Sequence, residues 1–514
     1  MYPGTHAKTQ PERLAIIQPS SGLALSYREL DEQSNQLAQL LYAQGLRRGD
    51  HLALFLENHP RFLVVLWACL RSGLYFTPIN RHLSAAEAAY IVDDCDARVL
   101  VASAALEQSE ELGRLAPRCE LKLAIGGAVP GFTDYDTATA QQSTQALAEE
   151  HMGTLMLYSS GTTGRPKGIK RPLPEGRPEA GNPSTLFAAK MFNMDSETVY
   201  LAPAPMYHAA PLGYSNAALV SGGTVVMMDK FEPELSLQLI EQYRVTHSQW
   251  VPTMFIRLLR LPDAVRERYD LSSLRYAIHA AAPCPVEVKR RMIEWWGPVI
   301  EEYYSSTEAA GYTRISSEEW LAHPGSVGRP VGRPFHICDE AGNELPAGEP
   351  GMIYAEMTPG AEVTYHKDPG KSADARHPRH EDWLCVGDVG YLDDQGYLYL
   401  TDRKSFMIIS GGVNIYPQQI EDALALYPGI EDVAVIGVPN EDLGEEARAL
   451  VQLAPGSEGS DALAEQIQEF VRARLGKQLV PRSVEFVAAL PRMPTGKLNK
   501  KALRERYWPA PVRG

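Results

Sequence analysis

Short apolar runs alternate with amphipathic stretches along most of this chain, and that alternation limits the folds open to it. Tyr27 to Leu41 carries apolar residues at helical spacing, and Arg48-Gly-Asp-His-Leu-Ala-Leu-Phe55 then reads as a turn and a strand. Ala97 to Ala102, Thr224 to Met228 and Tyr276 to Ile278 are short, β-prone and almost wholly apolar, as strands covered on both faces must be. Phe62 to Leu70 is too short to span a bilayer and predicts a buried helix. The pattern predicts an α/β architecture. At 514 residues and 44% apolar content, the chain has material for two or more cores.

After the strand-rich stretch Gly351 to Leu400, the reading changes. Pro417 to Leu426 predicts a helix, Val433 to Gly437 a strand and Ala462 to Leu475 a second helix. The division expected is a large N-terminal domain of parallel and mixed sheets flanked by helices, residues 1–402, and a small α+β domain, 403–514.

Composition removes several function classes. A formal net charge of −15 argues against a nucleic-acid partner, whose binding surfaces are basic. Six cysteines stand far apart with no Cys-x-x-Cys pair, against a zinc site or disulfide framework and in keeping with a reducing cytosol. No basic-then-apolar leader opens the sequence and no run is long enough for a membrane span, so a cytoplasmic protein is expected.

Residues 158–168 read Tyr-Ser-Ser-Gly-Thr-Thr-Gly-Arg-Pro-Lys-Gly and carry the strongest chemical signal. Gly161 and Gly164 permit a tight turn that brings backbone N–H groups to an anion. Ser159, Ser160, Thr162 and Thr163 add hydroxyl donors, and Lys167 adds charge. The common P-loop needs Gly-x-x-x-x-Gly-Lys-Ser/Thr, whereas Lys167 follows Pro166 and precedes Gly168. A flexible Ser/Gly linker is the plain alternative, but linkers rarely follow a lead such as Leu155-Met-Leu-Tyr158. Residues 171–183 hold four prolines and two glycines and predict an irregular surface loop, either a simple insertion or a lid over a nucleotide.

The 158–168 run resembles the signature of the adenylate-forming (AMP-binding) enzymes, which include acyl- and aryl-CoA ligases, luciferases and the adenylation domains of peptide synthetases. Other segments are similar to that family's motifs, in order. Ala204-Pro-Met-Tyr-His208 looks like the carboxylate-pocket segment, His279-Ala-Ala-Ala-Pro283 like the adenine segment, and Tyr303-Tyr-Ser-Ser-Thr-Glu308 like Tyr-Gly-x-Thr-Glu. Gly387-Asp388 and Asp402-Arg403 match the ribose-binding pair, Ser410 to Pro417 the glycine-rich segment that follows, and Pro494-Thr-Gly-Lys497 the C-terminal lysine loop.

The resemblance implies ATP, Mg²⁺ and coenzyme A as cofactors, and it implies roles. Ser159, Ser160, Gly161, Thr162, Thr163, Gly164 and Lys167 would grip phosphates, with Thr163 also counted among the catalytic groups. Ala281, Ala282 and Pro283 would contact adenine, with Tyr304, Ser305 and Thr307 beside the nucleotide and Glu308 holding the metal, a hard cation suited to carboxylate oxygen. Asp388 and Arg403 would hold the ribose and phosphate. Lys497 would bridge the carboxylate and the α-phosphate, and His208 would gate the passage between the carboxylate pocket and the thiol tunnel. Ala210, Tyr214 and Tyr303 are assigned to the acyl wall, Ser410, Gly411 and Gly412 to coenzyme A, and Asp402, Lys404 and Ser405 to the hinge of a mobile cap. The family's hinge acid is absent here, since Arg403-Lys-Ser-Phe406 stands where Arg-x-Lys-Asp is usual.

No cation stands near the proposed acyl wall, which favours an apolar monocarboxylate. Glu302-Tyr-Tyr with Thr307-Glu308 looks closer to fatty-acyl and steroid-type ligases than to coumarate ligases. The expected activity is an acyl-CoA ligase, which forms acyl-AMP and pyrophosphate and then the CoA thioester. Two alternatives stand beside it: an acyl-AMP ligase loading a carrier protein, and a catalytically silent ligand-binding homologue. Lys497, Glu308 and Asp388 are all present, which counts against the last. The expected partners are the carboxylate and coenzyme A; homodimerisation is left open.

Overall fold

The sequence's two kinds of apolar pattern lead to two kinds of sheet. The computed structural model describes residues 2–159, 166–358, 363–403, 406–411, 413–492 and 498–508, the side chains of 402, 403 and 414 excepted. The chain divides into two compact bodies. One comprises Met1–Trp250, Leu261–Ile278 and Thr358–Ala373, the other Val251–Arg260, His279–Met357 and Asp374–Gly514.

In the first body, wholly apolar runs became buried parallel strands. One sheet has the spatial order Thr133–Asp134, Leu121–Ile125, Ala97–Ser103, His51–Phe55, Tyr75–Ile79, Thr154–Leu155, every pairing parallel. All residues of His51–Phe55 and Tyr75–Ile79 are buried, the burial that helix cover on both faces imposes. A second sheet orders Tyr276–His279, His247–Trp250, Val199–Ala202, Thr224–Met227 and Leu14–Gln18, with Leu23–Ser26 antiparallel at its edge. Phe62 to Leu70 lies within the helix Pro60–Arg71, whose Pro60 occupies the first turn, where its missing N–H costs nothing. Tyr27–Ala43 begins at a capping box in which Ser26 and Glu29 bond each other's backbone N–H groups.

The 171–183 stretch contains only a single turn of tight helix, Pro178–Ala180, before Pro183 opens the helix Pro183–Met191. It is tied down at several points. Tyr75 donates its hydroxyl to the Arg171 carbonyl (2.8 Å), Met152 N–H donates to the Gly176 carbonyl (3.0 Å), and Arg48 meets Glu175 at 3.0 Å. Leu173 packs on the core of the first sheet. These attachments favour a fixed insertion over a lid.

The second body is built mainly on antiparallel pairing, with Ser483–Val487 running parallel to Gly444–Leu453. One sheet orders Thr313–Arg314, Ser326–Pro330, Leu398–Arg403, Trp383–Leu392, Gly351–Glu356, Phe335–Cys338. Another pairs the long strands Ile430–Asn440 and Gly444–Leu453, flanked by Ile408–Ser410 with Val413–Ile415 and by Ser483–Val487. The predicted strand at Val433 to Gly437 is therefore the middle of a longer element. Pro417–Leu424 and Asp461–Leu475 bury Ile420, Leu424, Ile467 and Val471 against it. The overall class is α/β, with a large sheet domain and a C-terminal α+β portion. Among the described residues no helix is long and apolar enough to cross a membrane, and all six cysteines are free and buried.

Candidate active site

The phosphate-loop candidate is closed at its base by a hairpin. Leu157–Ser159 and Lys167–Lys170 pair antiparallel, with Lys167 opposite Ser159 and Gly168 opposite Tyr158. The hairpin is anchored from outside: Tyr158 donates to Asp94 Oδ2 at 2.6 Å, and His366 N–H donates to the Gly168 carbonyl at 2.8 Å. A Cβ on Gly168 would stand 2.6 Å from the Met156 methyl, so a larger residue there would require the Met156 side chain to shift. Lys167 Nζ lies 5.5 Å from the centre of the Tyr365 ring. Ser160, Gly161, Thr162, Thr163 and Gly164 lie outside the described residues.

In the segment Ala204–His208, Ala204, Met206 and Tyr207 are buried and Pro205 partly so, and His208 is the residue that begins the helix Ala209–Val220. The His208 and Tyr207 rings stand 4.5 Å apart. Asn58, a residue that sequence reasoning missed, pins this segment: its amide donates to the carbonyls of Ala204 (3.1 Å) and Met228 (2.8 Å) and accepts from Met206 N–H (2.9 Å). Ala210 and Tyr214 both lie on the helix that His208 begins, and the Tyr214 ring is buried edge-on against Phe192.

In the second body the structure brings together residues far apart in sequence. Tyr304 donates its hydroxyl to Asp388 Oδ2 at 2.8 Å. Asp388 stands directly opposite Arg403 across the ladder between Trp383–Leu392 and Leu398–Arg403, and Asp402 stands opposite Val389. The two halves of the expected ribose pair thus meet by strand register. Tyr304 is itself held by its N–H to Thr313 Oγ1 (3.1 Å) and its carbonyl to Thr313 N–H (3.0 Å). Ser305 donates to the Gly311 carbonyl at 2.8 Å, so its hydroxyl holds the turn that follows. Thr307 is half-buried and Glu308 is buried.

Ala281 and Ala282 are exposed, flanked by buried Ala280 and Cys284. Ala281 has φ of 78°, a left-handed conformation that costs an alanine roughly 1–3 kcal/mol and persists where surrounding structure imposes it. Tyr303 lies flat against Tyr312, ring centres 4.9 Å apart and planes within 2°. Ser410 pairs with Val413 in a hairpin whose Gly411 takes φ of 56°, and Ile409 and Val413 are exposed on it. Gly412, Lys404, Ser405 and Lys497 lie outside the described residues.

Beneath these elements is a charged group that the motifs did not reveal. Lys289 Nζ donates to Glu302 Oε2 at 2.6 Å, and both side chains are buried. Burial pushes the Glu302 carboxyl up and the Lys289 ammonium down, and the contact between them opposes both shifts. His279 is also fully buried, and burial with the neighbouring Lys289 charge holds its pKa well below the usual imidazole value, so it is neutral. The available signal was Lys289 itself, which occupies a place in the apolar stripe with Met292, Ile293 and Trp296 on Val286–Trp296.

Among the described residues no three His, Cys, Asp or Glu side chains group into a metal cage. The one carboxylate of Glu308 suits Mg²⁺ nonetheless, because that ion is commonly held by one or two carboxylates and the substrate's phosphates.

The family model for AMP-binding enzymes matches residues 4–360, and that for their C-terminal domain matches 419–497. The chain belongs to the AMP-binding enzyme family. Its relatives include a feruloyl-CoA synthase of Amycolatopsis, 34% identical over 511 residues covering 98% of each chain. A long-chain-fatty-acid–CoA ligase of Mycobacterium tuberculosis, FadD13, is 30% identical over 98% of this chain and 97% of that one. The solved structure of ATP-bound MatB from Rhodopseudomonas palustris superposes with a TM-score of 0.81 at 28% identity over 99% of both chains. The AMP-binding family therefore supplies the frame in which Tyr304, Asp388 and Arg403 are read.

Proposed function

We propose that this chain is an acyl-CoA ligase for an apolar monocarboxylic acid. A carboxylate oxygen attacks the α-phosphorus of ATP and pyrophosphate leaves. The thiol of coenzyme A, giving up its proton, then attacks the acyl carbonyl and AMP leaves. The observation that carries this reading is the register that sets Asp388 opposite Arg403 with the Tyr304 hydroxyl on the Asp388 carboxylate. A carboxylate accepts ribose hydroxyls, so this strand pair offers a nucleotide the Asp388 carboxylate, with Arg403 opposite it in register.

Loop 159–164 would hold the β- and γ-phosphates, with Lys167 beside it, Ala281–Pro283 the adenine and Glu308 a Mg²⁺ ion. That ion would supply positive charge to the phosphate oxygens as charge builds there. Lys497, from a C-terminal cap spanning 403–514, would bridge the two anions in the first half-reaction; Ser410–Gly412 would serve the thiol in the second, after rotation about 402–405. His208 would gate the passage between them, and Ala210, Tyr214 and Tyr303 would face the acyl group. The flat Tyr303–Tyr312 stack gives a stiff, uncharged wall, which supports an apolar acid. Relatives named for feruloyl and long-chain fatty acyl substrates span the same range.

The test is ATP-dependent pyrophosphate release over a panel of short fatty, long fatty, aryl and steroid acids, with and without coenzyme A. CoA-stimulated release with thioester formation is expected. Release indifferent to CoA would assign the second step to a carrier-protein thiol, and silence on every acid would overturn the enzyme reading.

A further inference from the structure

The buried group at Lys289 lies where two site segments meet. Residues 279–285 lead into the helix Val286–Trp296, and Ile300–Glu302 leads into Tyr303 and Tyr304. A backbone bond already joins them, Tyr303 N–H donating to the His279 carbonyl at 3.3 Å. The Lys289–Glu302 contact at 2.6 Å is a further tie, added to the backbone pairing, one between opposite charges with a narrow preferred length and direction. His279 Nε2 stands 3.5 Å from Glu302 Oε2, and neither ring nitrogen makes a hydrogen bond among the described residues. The buried Cys284 thiol lies within electrostatic reach of both charges, and Glu301 within reach of Lys289. Lys289 Nζ lies 4.8 Å from the centre of the buried Trp320 ring, and Phe255 packs edge-on against His279.

Such a pair is a poor way to gain stability. Taking two charges out of water costs several kcal/mol each, and well-packed apolar side chains of similar size are commonly as stable or more so. What the ion pair supplies that apolar contact does not is a defined distance. Here that distance separates the segment carrying strained Ala281 from the strand end carrying Tyr304, which in turn holds Asp388.

We propose that Lys289 and Glu302, with His279 against them, are positioning residues for the nucleotide: the pair sets the spacing between segment 279–285 and Tyr304, and thereby ATP affinity. The inference rests on the reading of 281–283, Tyr304 and Asp388 as nucleotide contacts. None of the three residues is assigned contact with substrate.

The test compares wild type, Glu302→Gln and Lys289→Met/Glu302→Leu by calorimetric binding of ATP, thermal unfolding, and KM for ATP, acid and CoA. Glu302→Gln is expected to lose both stability and ATP affinity, because it leaves an unpaired buried ammonium. The apolar double variant is expected to regain the wild-type unfolding temperature yet still bind ATP about tenfold more weakly, with KM for acid and CoA unchanged. A double variant that binds ATP like wild type would overturn the proposal and leave the pair a purely structural element. A double variant less stable than Glu302→Gln would also overturn it, by showing that the fold itself needs the charges. Wild type failing to bind ATP would reject the functional reading first, a result distinguishable from either.

Discussion

The sheet around His51–Phe55 and the stretch from Ile300 to Ile315 solve different problems with the same chain. The first is held by area: His51–Phe55, Tyr75–Ile79 and most of Ala97–Ser103 are buried, and Phe62 packs edge-on against Phe76. Its contacts are numerous and individually non-directional, and their cost on mutation follows the volume emptied rather than any one bond. The second stretch is held by named polar bonds: Lys289 to Glu302, Tyr304 to Asp388, Ser305 to the Gly311 carbonyl, and Thr313 to Tyr304. These are few and directional. Packing can place a site on the fold, but only bonds of the second kind decide which atom faces which.

If the two regions divide labour in this way, stability and catalysis should separate on mutation. Phe76→Ala empties a fully buried ring position and should cost about 3–5 kcal/mol in denaturant unfolding, leaving KM for ATP in the folded fraction unchanged. A shifted KM at unaltered stability would break the comparison. Lys497→Ala should do the reverse. Pyrophosphate release should fall by roughly 10² to 10³, the usual cost of one charge-stabilising group, with the unfolding temperature unmoved. Thioester formation from synthetic acyl-AMP should survive. An equal fall in both steps would remove the rotating cap from the proposal.

The same contrast explains what the sequence could reveal. Apolar runs such as Ala97 to Ala102 announce themselves because burial on both faces selects for them residue by residue. Ser26 with Glu29 is equally local, a helix start readable within four residues. Glu302 is legible only as a glutamate before two tyrosines; its partner stands 13 residues away on a helix, and the Tyr304–Asp388 bond spans 84. Motif resemblance reached Tyr304 and Asp388 separately, and strand register joined them. Asn58 carried no signal of any kind, because its three bonds to the 204–228 region exist only once the chain is folded.

Polar groups inside the packed body sharpen the contrast through pH. His247 is fully buried, in hydrogen-bond contact with the Phe192 carbonyl (2.7 Å) and Thr246 Oγ1 (2.8 Å), and burial pushes its pKa down to about 4. Above the ordinary value of 6.5 the ring is neutral both folded and unfolded, so its contribution is fully present. As pH falls from there toward about 4, the unfolded chain takes a proton that the folded one refuses. Stability should drop by up to about 3 kcal/mol across that window. His247→Gln should make unfolding free energy less steep between pH 6.5 and 4, whatever it costs at neutral pH. An unchanged slope would mean that the acid sensitivity of this body resides elsewhere, His51 being the next candidate with a pKa lowered to about 3 by burial.

The smallest effect is expected where a single directional bond is removed without disturbing any packing. Tyr304→Phe keeps the ring against Phe335 and deletes only the hydroxyl that donates to Asp388. A hydrogen bond to a charged, half-buried acceptor is worth about 1.5–3 kcal/mol at most, and water can replace part of it at an open site. The net loss should therefore be about 1 kcal/mol, seen as a rise of roughly fivefold in KM for ATP, with little change in unfolding temperature. Because Asp388 would be free to turn from the ribose, the loss should be larger for ATP than for 2′-deoxy-ATP, which offers the carboxylate one hydroxyl fewer. Equal losses for the two nucleotides would separate Tyr304 from ribose recognition and leave the Asp388–Arg403 register to carry that role alone.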